Sequence, residues 1–161
     1  MSIFNYVDKL LIKNNLSYIS KDLNRPWGGF YVINEILSEE FFNLFFNIEF
    51  KNKIDFQAKL SPKILVIKPN KRLSWQYHNR RSEVWSIIKG KILVSKSLDD
   101  KEVEPLKLNE KDQINIGKEI RHRIIGTDDY ALVAEIWIHT DKNNPSDEND
   151  IVRLQDDFNR N

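Results

Sequence analysis

The apolar residues of this chain change their spacing near residue 53, and that change constrains the fold most. From there onward they recur at every second position, as in Ile54, Phe56, Ala58 and Leu60. A period of two predicts β-strands with one buried face. The predicted strands cover residues 54–60, 64–68, 73–78, 83–88, 92–95, 112–116, 121–125 and 130–138. Seven or eight short strands with turn signals between them favour a β-sandwich or a small barrel.

The first fifty residues have mainly helical spacing instead. Apolar side chains in segment 3–11 recur three or four residues apart, which predicts a first helix. A break at 24–29 precedes a short predicted strand at 30–34, and Ser38 is the predicted N-cap of a second helix. The apolar face of that helix comprises Phe41, Leu44, Phe45 and Ile48, widened by Phe42 and Phe46. A face of this size needs cover, so we expect the helices to pack on the following sheet.

These patterns predict a single domain over residues 1–161. It consists of an N-terminal helical extension (1–50), a barrel (about 51–140) and a polar, acidic C-terminal tail (141–161). The formal net charge of +1 gives no field that favours nucleic acid or an anionic membrane. The chain has no cysteine, which excludes disulfides and thiolate chemistry. We expect a soluble cytoplasmic protein, because no segment approaches the length of a signal peptide's apolar core or of a membrane span.

Four polar residues of the barrel segment form a candidate metal site. Gln76 and His78 are two apart, so on one strand they point the same way. Glu83 opens the next strand, and His122 lies in another. Two imidazoles, a carboxylate and an amide oxygen suit zinc, iron, nickel or manganese. The alternative is a surface polar pair, with Glu83 in an exposed ion pair with Arg80 or Arg81.

The spacing of these residues resembles the two motifs of the cupin superfamily. Gln76-x-His78-x4-Glu83-x6-Gly90 is similar to the first motif, with glutamine where a first histidine is common, and His122 is similar to the second. Further stretches narrow the resemblance to the C-terminal cupin domain of type II mannose-6-phosphate isomerases, including those fused to mannose-1-phosphate guanylyltransferases. They are RPWGGF (25–30), LSWQYHNRRSEVWSIIKG (73–90), RHRIIG (121–126) and DDFNR (156–160). The chain departs from the family pattern at Asn70, at Asn159 and in the spacing between Gly117 and His122.

This resemblance implies a mainly β fold: a cupin double-stranded β-helix, or jelly-roll barrel, with the N-terminal helices packed on it. It implies one divalent metal ion bound by Gln76, His78, Glu83 and His122. Zinc is the first expectation for this ion, and iron, nickel and manganese are the alternatives. The implied function is aldose–ketose isomerisation of a sugar phosphate, either mannose 6-phosphate/fructose 6-phosphate or a heptose phosphate. We expect no guanylyl transfer, because the first fifty residues contain no glycine-rich nucleotide-binding segment.

Other residues are candidates for catalysis and substrate binding. Glu135 lies on an apolar strand, so it is either catalytic or paired with Arg121 or Arg123. Guanidinium groups bind phosphate well, and any single arginine is otherwise a solvated surface charge. Trp85 and Trp137 either stack on a sugar or pack in the core, and His139 is expected at the surface. Arg81 is a candidate for catalysis and for substrate binding, and the further candidates for binding the phosphate are Arg123, Arg153 and Arg160.

Two other functions remain open from sequence. One is an iron(II) cupin dioxygenase with the same ligand set, and the other is a non-catalytic sugar-binding or accessory cupin. For the isomerase we expect a small sugar phosphate as partner, no nucleic acid, no membrane, and a homodimer.

Overall fold

Two antiparallel β-sheets form the body of the protein in a computed structural model that describes residues 2–160. The strands are β1 (Tyr18–Arg25), β2 (Gly28–Ile33), β3 (Leu60–Ile67), β4 (Trp75–Tyr77), β5 (Arg81–Lys89), β6 (Lys91–Ser97), β7 (Leu106–Asn109), β8 (Gln113–Ile116), β9 (Arg121–Gly126), β10 (Ala131–His139) and β11 (Val152–Gln155). The helices are α1 (Ile3–Lys13) and α2 (Ser38–Phe45), with short 3-10 helices at Glu35–Leu37 and Ile48–Lys53. No helix within residues 2–160 is long and apolar enough to cross a membrane.

The strand order defines a jelly-roll barrel. One sheet runs β1-β2-β3-β10-β5-β8 and the other runs β11-β4-β9-β6-β7. From β3 to β11 consecutive strands alternate between the sheets, except that β6 and β7 pair with each other in the second sheet. Strand β5 lies in the first sheet and β6 in the second, and they are joined by a tight turn at Gly90 (φ 77°). The predicted mainly β cupin fold is confirmed.

The central strands of the six-stranded sheet, β3, β10 and β5, are buried on both faces, which explains their long apolar runs. Along β3, Ile64 and Val66 pack on the helices, while Leu65 and Ile67 point into the barrel. The helix side of this core includes Val7, Leu11, Phe41 and Phe42, and the barrel side includes Trp85, Ile87, Ile92, Val94 and Ile124. The predicted packing of the N-terminal helices on the barrel is confirmed.

The start and the face of α2 differ from the prediction. Ser38 lies inside the helix, because the preceding 3-10 turn brings the Glu35 carbonyl within reach and the Ser38 hydroxyl donates to it at 2.6 Å. The predicted N-cap role of Ser38 is therefore wrong. Leu44 (42 % exposed) and Ile48 (71 %) also lie outside the buried face, since the helix ends at Phe45 and the chain turns away.

The strand prediction was wrong in four further places. Residues 54–59 form a turn, in which the Asp55 side chain accepts from the Gln57 amide at 2.9 Å, so only Leu60 of that predicted strand begins β3. Strands β1 and β7 were missed because they are polar and largely exposed. Strand β11 was missed because it lies in the acidic tail, where backbone pairing with β4 decides the conformation.

Replacing Phe41 by alanine should lower the free energy of unfolding by about 3–5 kcal/mol, because its fully buried ring joins α2 to the sheet. Leu44→Ala on the same helix is the control and should cost no more than about 1 kcal/mol. Urea unfolding measures both. Equal losses for the two variants would show that α2 does not depend on its contact with the barrel.

Candidate metal centre

Three strands bring the predicted metal ligands together inside the barrel. Gln76 on β4 pairs in register with His122 on β9, His78 follows β4, and Glu83 lies on β5. The ligand atoms of His78, Glu83 and His122 all lie within 4.8 Å of one another. The Nε2 atoms of His78 and His122 lie 3.3 and 3.7 Å from the two carboxylate oxygens of Glu83. All three side chains are buried, which excludes the alternative of an exposed ion pair for Glu83.

Hydrogen bonds on the far side of each imidazole fix its tautomer. His78 Nδ1 donates to the Asp150 carbonyl at 2.7 Å, and His122 Nδ1 donates to the Ile120 carbonyl at 2.8 Å. Because a carbonyl only accepts, each ring carries its proton on Nδ1 and turns an Nε2 lone pair toward Glu83. His122 Nε2 is buried and has no hydrogen-bond partner among residues 2–160.

The charges of the cluster are those of a metal site. Burial lowers the pKa of His78 to about 3 and also lowers that of His122, so both imidazoles are neutral. Burial opposes ionisation of Glu83, but the Arg81 guanidinium that bonds to the carboxylate outweighs burial and holds the pKa of Glu83 well below its usual range. Two neutral nitrogen donors and one carboxylate, with an orphaned lone pair among them, fit a divalent cation.

The amide oxygen of Gln76 does not face the His78-Glu83-His122 cluster. Its amide oxygen accepts from the Ser74 hydroxyl, and its amide nitrogen lies 3.4 Å from His78 Nε2. A half-turn of the amide about its last bond exchanges the two atoms. Metal ligation by Gln76 therefore requires that rotation, whereas the other three ligands already converge.

Arg81 is buried beside the metal ligands, not exposed in a turn. Its Nε donates to Glu83 Oε1 at 2.7 Å, and one terminal nitrogen lies 3.1 Å from His78 Nε2. The guanidinium carbon lies 3.5 Å from the Trp137 ring centroid. The alternative of a solvated surface charge is excluded for Arg81, because its charge compensates a carboxylate inside the barrel.

Glu135 lies across the cavity floor from the cluster. The Trp85 indole bridges the two acids, with its nitrogen 3.1 Å from Glu83 Oε2 and 3.2 Å from Glu135 Oε1. Burial and the nearby Glu83 charge raise the pKa of Glu135 to about 8. The alternative ion pair with Arg121 or Arg123 is absent among the described residues, since these pair with Asp100 and Glu102 instead.

Lys63 is a site residue that sequence reasoning missed. It faces Glu135 in the β3–β10 register, is 4 % exposed, and pairs with Glu148 of the tail. Its Nζ lies 3.6 Å from the Trp137 ring centroid. Lys63 and Arg81 lie too close to that centroid to share one face, so Trp137 has no face left for a sugar. The sequence does contain a signal for Lys63. It lies two residues before Leu65, so on one strand it points to the same side as Leu65 and Ile67, which is into the barrel.

A cavity of about 570 Å³ opens above the cluster and is lined by cations. Arg153 and Arg160 lie in its wall with Arg25, and the pKa of Arg153 is lowered by burial and by the Arg160 charge. Strand β11 places Arg153 opposite Gln76 in register. These two predicted phosphate ligands therefore reach the cavity, where Arg160 also pairs with Asp156 at 2.6 Å.

Arg123 and His139 have structural surroundings. Arg123 is fully buried, and its guanidinium donates to the Leu73 carbonyl, to Glu102 and to Gln155. These bonds tie β9 to the tail and leave little donor capacity for phosphate. His139, expected at the surface, is half-buried, and its ring nitrogens bond to Ser61 and Ser146 at 2.9 Å each.

A jelly-roll barrel that holds a buried His-His-Glu cluster defines this protein as a cupin with a candidate metal centre. The family model described as mannose-6-phosphate isomerase C-terminal matches residues 47–156. The chain belongs to this family.

Known proteins resemble the chain to different extents. The mannose-1-phosphate guanylyltransferase of Salmonella montevideo is 27 % identical over 156 residues, which cover 96 % of this chain and 27 % of that protein. The chain thus spans about a quarter of the length of this curated relative. The structure of oxalate decarboxylase from Bacillus subtilis matches with a TM-score of 0.58 and 15 % identity, and the match covers 84 % of this chain and 30 % of the decarboxylase chain. The structure of procruciferin from Brassica napus matches with a TM-score of 0.55 and 15 % identity, and the match covers 83 % of this chain and 29 % of the procruciferin chain. At these identities, the two structures share the fold alone.

Replacing His122 by alanine should weaken Zn²⁺ binding by more than about 100-fold, which exceeds the usual effect of losing an outer partner of a metal ligand. The control is Glu104→Ala, which also removes a side chain that can bind zinc but lies exposed outside the cluster, and the zinc affinity of this variant should stay close to that of the wild type. Competition with a chromophoric chelator measures both affinities. Equal zinc affinity of the His122 variant and the wild type would exclude His122 as a ligand.

Proposed function

We propose that the protein is a metal-dependent aldose–ketose isomerase of sugar phosphates. The substrate pair is mannose 6-phosphate and fructose 6-phosphate or a related heptose phosphate. The observation that carries the proposal is the convergence of the His78-Glu83-His122 cluster, the buried acid Glu135 and several cations on one cavity. Membership in the mannose-6-phosphate isomerase C-terminal family supports the same reaction.

The metal ligands would be His78, Glu83 and His122, with Gln76 joining them once its amide rotates. Zinc is the first choice, and iron, nickel and manganese accept the same donors. A divalent ion held there supplies Lewis acidity for the substrate oxygens. The indole N–H of Trp85 lies within hydrogen-bond distance of both the Glu83 and the Glu135 carboxylates. It therefore keeps the proposed ligand and the proposed base at a fixed separation.

Glu135 is the proposed acid–base group. The isomerisation removes the proton on C2 of the aldose and returns a proton to C1, while the proton of the O2 hydroxyl passes to O1. A carboxyl with a pKa of about 8 both accepts and releases a proton near neutral pH. Lys63, opposite Glu135, is placed to donate a hydrogen bond to a substrate oxygen.

The phosphate group would bind in the part of the cavity lined by Arg153 and Arg160. Their charges act on each other and on that of Arg25, so the three guanidinium groups form one positive region. Arg81 and Arg123 contribute to the field of this region but donate to protein groups. An anion is stabilised there by charge-assisted hydrogen bonds.

A coupled assay on zinc-loaded protein tests the proposal, with solvent deuterium incorporation into the product sugar as a second readout. We expect conversion of mannose 6-phosphate to fructose 6-phosphate that a chelator abolishes. Sugar phosphate binding without conversion or exchange would support a non-catalytic sugar-binding cupin instead. Oxygen consumption by the iron-loaded protein would support a dioxygenase.

The Glu135→Gln variant should lose at least about 100-fold in kcat, the usual contribution of general acid–base catalysis, while its zinc content stays unchanged. The amide keeps the size of the side chain but cannot take up the carbon-bound proton. Glu104→Gln changes an exposed acid and should have wild-type activity. Undiminished turnover of Glu135→Gln would assign the proton transfer to another group.

The Arg153→Ala variant should raise KM for mannose 6-phosphate about 10- to 100-fold, because it removes charge-assisted hydrogen bonds to the phosphate. Its zinc content should not change. Arg72→Ala serves as the control, since Arg72 pairs with Asp157 at the surface and should leave KM unaltered. If KM of the Arg153 variant equals that of the control, the phosphate binds elsewhere.

A further inference from the structure

The turn that follows the ligand His78 is held by a residue far away in sequence. Asp150 lies 72 residues further along the chain and is 5 % exposed. Its two carboxylate oxygens accept from consecutive backbone amides, those of Asn79 at 2.9 Å and Arg80 at 3.0 Å. The Ser146 hydroxyl donates to the same carboxylate at 2.6 Å. The side chain of Asp150 thus binds the turn on one side and its own loop on the other.

The backbone of the same residue orients the ligand. The Asp150 carbonyl accepts the proton of His78 Nδ1 at 2.7 Å. One residue therefore fixes both the chain that leaves His78 and the ring of His78 itself. These bonds leave the ring with one tautomer and one orientation, in which Nε2 faces Glu83.

Two arginines that follow His78 make further contacts between the turn and the loop that contains Asp150. Arg80 donates to the Asn144 side chain and the Pro145 carbonyl, at 2.6 and 2.9 Å. Arg81 donates to Ser146 at 2.9 Å while it also holds Glu83. Loop 144–150 is thereby tied to two of the three converging ligands, and Asp150 is the residue that touches both the turn and the imidazole.

We propose that Asp150 is a positioning residue of the metal centre, whose carboxylate holds the turn after His78 so that its carbonyl fixes the metal-binding tautomer of that histidine. This inference rests on the metal-binding part of the proposed function. A carboxylate is required because the backbone groups of Asn79 and Arg80 that bond to its two oxygens are both N–H donors. An asparagine would keep one acceptor and turn its amide N–H₂ toward the other donor.

The first test compares zinc affinity in Asp150→Asn and in a matched variant, Asp157→Asn. Asp157 lies in the same tail and pairs with Arg72, away from the ligands. We expect Asp150→Asn to weaken zinc binding about 10- to 100-fold, as is usual for outer partners of metal ligands. Asp157→Asn should bind as the wild type does. Loss of thermal stability with unchanged zinc affinity would overturn the proposal, because it would show a purely structural role.

The second test reads the tautomer directly. The chain has three histidines, so ¹⁵N labelling of the imidazoles gives few signals to assign. In the wild type, we expect His78 to carry its proton on Nδ1 only, and in Asp150→Asn to show a mixture of tautomers or rapid exchange. An unchanged Nδ1–H signal in the variant would contradict the proposal.

A milder variant, Ser146→Ala, covers the case in which Asp150→Asn does not fold. It removes one bond from the carboxylate and one from Arg81, so zinc affinity should fall by a smaller factor, about threefold to tenfold. Unaltered affinity would overturn the proposal. If the wild type itself bound no zinc, the proposed function would fail, and the tautomer of His78 would still test the positioning role.

Discussion

The rest of the site depends on how one buried negative charge is compensated. Glu83 lies inside the barrel between two neutral imidazoles, and Arg81 is the cation that bonds to it directly. An unpaired buried carboxylate would cost several kcal/mol or would become protonated. Arg81 prevents this, yet it reaches only Oε1 of the carboxylate. The other oxygen faces His122, whose lone pair has no donor within residues 2–160, and this side of the cluster is where a cation is needed most.

The two-sided burial of the central strands of the six-stranded sheet positions the residues of the site. Strand β10 lies between β3 and β5, so the strand that carries Glu135 has a neighbour on each edge, and helices cover its outer face. Its inner face can then carry charged groups, because Lys63, Trp85 and Glu83 on the two neighbouring strands meet Glu135 there. The apolar packing outside the barrel holds the polar chemistry inside it in register.

The sequence predicted a barrel of short strands and the same-face pair Gln76 and His78 because both depend on short-range spacing, whereas the jelly-roll topology and the full ligand set were implied by the resemblance to the cupin motifs. The alternation of β-strands, the same-face pair Gln76 and His78, and the position of Glu83 after a short connection are all local patterns. What the sequence did not reveal depends on long-range pairing. Lys63 becomes a site residue through its register with β10, and Asp150 through hydrogen bonds to a turn 70 residues earlier. A polar tail gives no hydrophobic pattern from which strand β11 could be read.

The C-terminal tail affects the order in which the strands and the cluster of the barrel form. Strand β11 pairs with β4, and loop 144–150 contacts the turn after His78, so the cluster spans more than 70 residues of chain. Closing so long a loop is slow compared with forming a hairpin, and it waits until the distant segment has left the ribosome. During synthesis the barrel strands can pair before their metal ligands are oriented. The hydrogen bond that orients the His78 ring is therefore made only after the tail has docked, later than the pairing of the strands that carry the cluster.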